Sequence, residues 1–168
     1  CVAVGGGILR DIILGQTPPG AFRDPVYAMV AMGTSFLLFV VVYLKKEILN
    51  SKYLTLYEQV MNYCDAVGLG IFTVVGVYTA HSLDYHNKFF LIFLGMLTGV
   101  GGGMIRDVLA DSMPFILRKH VYAVAALAGA LVCVNLIDQN LYLSLAAGTT
   151  VIIVSRVLAT KFCWDLPR

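Results

Sequence analysis

Five long apolar stretches separated by short polar ones dominate this chain: Val26 to Leu44, Ala66 to Ala80, Phe89 to Val100, Val121 to Ile137 and Leu141 to Leu158. They are too continuous to be amphipathic surface helices. Several approach the roughly 20 residues that cross a hydrocarbon core about 30 Å thick. One such run alone would describe a buried helix of a soluble protein equally well. Five in succession describe a helical membrane bundle. Between them stand turn sequences, among them Gln16-Thr17-Pro18-Pro19-Gly20 and Asp111-Ser112-Met113-Pro114.

A second pattern lies over the first. Gly5-Gly6-Gly7-Ile8-Leu9-Arg10-Asp11 returns about 96 residues later as Gly101-Gly102-Gly103-Met104-Ile105-Arg106-Asp107. Pro18 answers to Pro114, and Val26-Tyr27-Ala28 to Val121-Tyr122-Ala123 after a slip of one residue. The chain is therefore a duplication. In the second copy, Phe89 to Val100 and Met104 to Ser112 together give about 31 Å at about 1.5 Å per residue, one membrane thickness. Three consecutive glycines cost about 1 kcal/mol each inside a helix, so the pattern predicts spanning helices kinked or unwound at Gly5 to Gly7 and at Gly101 to Gly103. Close packing between helices is the other use of such glycines.

Unwinding would free carbonyls at the end of one half-helix and N–H groups at the start of the next, which can face a cation and an anion respectively. Arg10, Asp11, Arg106 and Asp107 follow within a turn. Neighbours on a helix diverge by about 100°, so the expected pairing runs across the copies, Arg10 with Asp107 and Arg106 with Asp11. Ionisable groups at this depth face a bundle interior or water, unless they lie near the interface and snorkel. Asp65 opens the apolar run that carries Gly68, Phe72, Gly76 and Thr79 at helical spacing. That stripe reads as a helix contact face; Asp65 itself reads as a helix cap, a structural pair or a solute ligand.

Composition agrees with the membrane reading: 59% of residues are hydrophobic and 13% charged, against roughly 25% charged in an ordinary soluble domain. The net charge of +2 gives no sign of nucleic acid. Cys1, Cys64, Cys133 and Cys163, and the loop histidines His81, His86 and His120, have no metal-binding spacing. No nucleophile and base, phosphate loop or cofactor motif suggests an enzyme.

The chain enters its first triple glycine almost at once, so the repeat predicts preceding sequence: one helix and the first half of the next. With that helix, each copy holds three spans and the second copy is inverted. Residues 1–50 are then the remainder of the first three-helix repeat, 51–138 the second repeat, and 139–168 a seventh helix with its tail. Lys45, Lys46, Lys52, Arg118, Lys119, Arg156, Lys161 and Arg168 fall on one face of this bundle; Arg23 and Lys88 fall on the other. By the positive-inside rule the C-terminus is cytoplasmic.

The duplicated Gly-Gly-Gly-x-x-Arg-Asp string, the Pro-containing turn after it and Asp65-Ala66-Val67-Gly68-Leu69 resemble the bacterial glycine-transporter membrane family, formerly filed as uncharacterised and related to the trimeric intracellular cation channels. The resemblance covers nearly the whole chain. It implies an all-α, seven-helix subunit of two inverted three-helix repeats plus a last helix, a homotrimer in the bacterial plasma membrane, and one pathway inside each subunit beside two kinked helices. By position, Gly5, Gly6, Gly7, Arg10, Asp11, Gly101, Gly102, Gly103, Arg106 and Asp107 would lie at or near that pathway, with Asp65 adding negative potential. This chain has arginine at both matched sites, where the intracellular cation channels usually carry a lysine on one kinked helix. Three functions follow as expectations. The first is a monovalent-cation channel conducting potassium. The second is a carrier for glycine or another small amino acid, whose two charges match the two dipole ends of a broken helix. The third is a scaffold that transports nothing.

Overall fold

The computed structural model describes residues 2–23, 25–44, 51–111 and 121–162, and all regular structure among them is helical. The helices are α1 (Val2–Ile13), α2 (Gly20–Arg23), α3 (Pro25–Leu44), α4 (Ser51–Ser82), α5 (Lys88–Leu109), α6 (Val121–Leu136) and α7 (Leu141–Lys161). Gln59–Ser82 of α4, α5 and α7 are long and apolar enough to cross a membrane; α3 and α6 carry shorter apolar stretches. Each of the five apolar runs thus lies mainly within one helix.

Helix ends follow local chemistry. Asn87 caps α5, its side chain accepting from the N–H groups of Phe89 and Phe90, and Asn140 caps α7 through Leu143 N–H. At the end of α1, Gly15 takes a left-handed φ of 68°, with Gly15 N–H donating to Ile12 O and Gln16 N–H to Asp11 O. This is the Schellman arrangement, which satisfies the last carbonyls of the helix.

The structure departs from two expectations, the unwinding of the glycine strings and the helix cap at Asp65. Helices α1 and α5 run through their triple glycines without unwinding, so no half-helix ends are freed there. The reason is packing: what glycine costs in helix propensity is offset by helix contacts that only glycine permits. A Cβ on Gly5 would lie 2.9 Å from Ile105 Cδ1 and 3.6 Å from Gly102 Cα; one on Gly101 would lie 2.8 Å from Leu9 Cδ1 and 3.7 Å from Gly6 Cα. The two strings therefore pack on each other reciprocally. Asp65, in turn, does not begin a helix. No Gly or Pro lies between Ser51 and Asp65, and α4 runs through both positions, so a capping role is excluded. His81 likewise lies in the last turn of α4 rather than in a loop, while His120 falls outside the described residues.

Helix α4 packs on α5, α6 and α7, α6 packs on α5 and α7, α1 packs on α5, and α3 touches only α1 and α2 among the described helices. Two more crossings are made by small residues. Gly76 of α4 meets Gly95 of α5, where an added Cβ would stand 2.9 Å from Gly95 Cα; Gly148 of α7 would approach Gly129 O to 3.0 Å. A core of Val74, Val77, Leu91, Leu94, Ala130, Cys133, Val134 and Ile137 fills the space between α4, α5 and α6.

Candidate functional site

The Arg-Asp strings end α1 and α5, in the last turn of each helix. A cation is favoured there by the helix dipole and an anion disfavoured. Each aspartate is accordingly held by its own neighbour: Arg10 Nε donates to Asp11 Oδ1 at 2.8 Å and Arg106 Nε to Asp107 Oδ1 at 2.8 Å. Among the described residues, the pairing expected across the copies, Arg10 with Asp107 and Arg106 with Asp11, is not formed. The 100° between adjacent side chains is bridged because a guanidinium on its long stem curls back to the next carboxylate and presents several donors.

The two copies differ in what surrounds this pair. The first is closed. Asp11 is buried, its Oδ2 accepts Gly20 N–H at 2.8 Å, and Arg10 Nη1 donates to Thr79 Oγ1 of α4 at 3.2 Å. The carboxylate thus ties the end of α1 to the start of α2. The second opens into a wider network. Arg106 Nη1 lies 3.6 Å from Asp65 Oδ1, and Arg156 Nη2 of α7 lies 3.6 Å from Asp65 Oδ2. Tyr122 O–H donates to Asp65 Oδ1 at 3.4 Å, and the Arg156 guanidinium sits over the Tyr122 ring, 4.7 Å from its centroid.

Beside this network is a cavity of about 240 Å³, lined by Met61, Cys64, Asp65, Gly68, Leu69, Phe72, Gly99, Gly103, Arg106 and Tyr122. The α4 stripe that reads as a contact face therefore divides. Gly76 packs against α5 and Thr79 receives Arg10, whereas Gly68 and Phe72 line the cavity. A carboxylate and a guanidinium both face this space, so it can accept a group of either charge.

Of the eleven candidate residues, Asp65, Gly103 and Arg106 line the cavity and Asp107 holds Arg106. Gly5, Gly6, Gly101 and Gly102 lie at the α1–α5 crossing; Arg10 and Asp11 end α1 away from the lining, and a Cβ on Gly7 would meet only the Arg10 side chain among the described residues. Sequence reasoning missed Tyr122 and Arg156. Arg156 reads there as one of the basic residues at the C-terminal end of the bundle, but it is only 3% exposed within α7. Its signal is depth: it sits inside the last apolar run, as Asp65 borders another, and opposite charges in two spans are each other's natural partners.

The family model described as "Glycine transporter" matches residues 1–43 and 62–138. The UPF0126 inner membrane protein YadS of Escherichia coli is 39% identical over 130 residues, 77% of this chain and 58% of that protein; the chain thus spans less than two thirds of that relative. The UPF0126 membrane protein YvgT of Bacillus subtilis is 32% identical over 167 residues, 99% of this chain and 77% of its own length. Among solved structures, a TRIC trimeric intracellular cation channel orthologue from Rhodobacter sphaeroides matches with a TM-score of 0.82 at 32% identity, covering 97% of this chain and 80% of that one. A prokaryotic TRIC channel matches with a TM-score of 0.83 at 28% identity, covering 98% and 80%.

Proposed function

The chain belongs to the glycine transporter family of membrane proteins, and from that premise we propose that it is a channel for monovalent cations, potassium first, with a pathway inside each subunit. The observation that carries this reading is the cavity bordered by Asp65 and Arg106, in a fold that matches TRIC cation channels over nearly its whole length. Asp65 supplies negative potential to a passing cation. Arg106, held by Asp107 at the end of α5, limits that potential. Gly99 and Gly103 add no side chains to the α5 wall of the cavity, which leaves room beside Arg106, and the first triple glycine holds α1 against that helix.

The working protein in this reading is a homotrimer in the bacterial cell membrane with a cytoplasmic C-terminus. Residues 1–50 and 51–138 belong to inverted three-helix repeats, and 139–168 form the last span and tail. The reciprocal contacts Gly5 with Ile105 and Gly101 with Leu9 support the repeat pairing.

A glycine carrier is favoured by one specific observation. A cavity that presents both a carboxylate and a guanidinium complements the ammonium and carboxylate of an amino acid. The full-length protein in liposomes, assayed for potassium flux and for radiolabelled glycine uptake, separates the readings. Fast passive potassium flux indifferent to glycine supports the channel. Saturable glycine uptake with little ion leak overturns it in favour of the carrier, and silence in both assays leaves a scaffold.

A further inference from the structure

We infer that Arg156 sets which sign of charge the Asp65 cavity admits, by neutralising Asp65 from outside the cavity. This rests on the conduction reading. Asp65 and Arg106 line the cavity, and Arg156 does not. Arg156 acts on it from a buried position on α7, through Asp65 Oδ2 at 3.6 Å and the Tyr122 ring at 4.7 Å.

The two arginines near Asp65 are not equivalent. Arg106 has a 2.8 Å bond to Asp107 and reaches Asp65 only at 3.6 Å, so its first allegiance is to its neighbour. It is also the more exposed, with 29% of its side chain accessible against 3% for Arg156. Arg156 has Asp65 as its carboxylate partner and the Tyr122 ring beneath it, while its Nε has no hydrogen-bond partner among the described residues. Tyr122 serves both, stacking under the guanidinium and donating to the carboxylate. Arg156 is thus a fixed counter-charge and Arg106 the one that shares the cavity with a solute. With Arg156 in place the Asp65 charge is offset; without it a carboxylate faces the cavity with much of its field restored. Burial strengthens this effect, because charges screened less by water act further.

The test is the potassium-over-chloride permeability ratio, read from reversal potentials of the full-length protein in planar bilayers under a KCl gradient. Arg156→Gln is expected to raise the ratio by on the order of tenfold, the scale of one unmasked charge at this separation, and Arg156→Lys to bring it back toward the wild-type value. Asp65→Asn, which leaves Arg156 unopposed, is expected to lower the ratio, and the double variant Asp65→Asn/Arg156→Gln to lie near wild type. A merely structural Arg156 would reduce both permeabilities together, and an unchanged ratio with flux intact overturns the inference. If Arg156→Gln does not fold, Asp65→Asn decides alone: an unchanged ratio there also overturns it. Absence of potassium current in the wild type overturns the conduction reading itself, an outcome distinct from current whose selectivity ignores Arg156.

Discussion

Gly15 and Asp111 occupy matching positions after the two Arg-Asp strings, and both hold the left-handed backbone conformation, at φ 68° and φ 49°. Each stands just beyond the last turn of its helix. Glycine takes this conformation freely, while a residue with a Cβ pays roughly 1–2 kcal/mol unless local contacts compensate. Asp111→Gly is therefore expected to stabilise the protein by up to about 1 kcal/mol, and Gly15→Ala to destabilise it by about the same. Thermal unfolding in detergent reads both; shifts of the opposite sign would refute the correspondence.

The first triple glycine gives a sharper contrast between adjacent positions. A Cβ on Gly6 would collide with the Thr98 carbonyl oxygen of α5, whereas one on Gly7 has nothing closer among the described residues than the tip of Arg10 at 4.0 Å. Backbone cannot yield as a flexible side chain can. Gly6→Ala should thus cost about 1–3 kcal/mol by forcing α1 from α5, and Gly7→Ala should be neutral or gain up to about 1 kcal/mol of helix propensity. Equal effects at the two positions would count against the observed packing.

Asp11 lies buried between Arg10 and Gly20 N–H. Replacing it by leucine strands the guanidinium and an amide, at a cost of about 3–5 kcal/mol. The double variant Arg10→Leu/Asp11→Leu should recover a good part of that loss. A double-mutant cycle on unfolding in detergent measures the coupling, and strictly additive losses would show that the pair is not coupled.

Cys64 is an exposed residue on the cavity wall, while Cys133 is buried. On the proposed pathway, a bulky, charged, thiol-reactive reagent should cut flux severalfold, and Cys64→Ala should abolish that sensitivity. Persistent inhibition of Cys64→Ala by the same reagent would place the reactive thiol elsewhere.

Much of this architecture was legible in the order of residues. Continuous apolar runs identify helices that belong in lipid, because a spanning segment must satisfy its backbone internally. The duplicated string identifies matched segments, and the ends of α1 and α5 carry the same Arg–Asp geometry. The reading failed where a residue's role depends on its neighbours in space. The glycines favour both unwinding and close contact by composition alone; only the approach of α1 to α5 decides for contact. Asp65 looks like a cap because a carboxylate before an apolar run often is one, but helix continues on both sides of it.

Residue order alone is enough for the membrane class, the duplication, the helical spans and the residues whose burial would need a partner, since these depend on hydrophobic patterning and local backbone preference. Tertiary structure alone decided the partnerships. Asp65, Tyr122 and Arg156 lie on α4, α6 and α7, far apart in the chain, and no local rule couples them. Helix packing brings them together, and the cost of leaving a charge alone in a dry interior makes each the partner of the others.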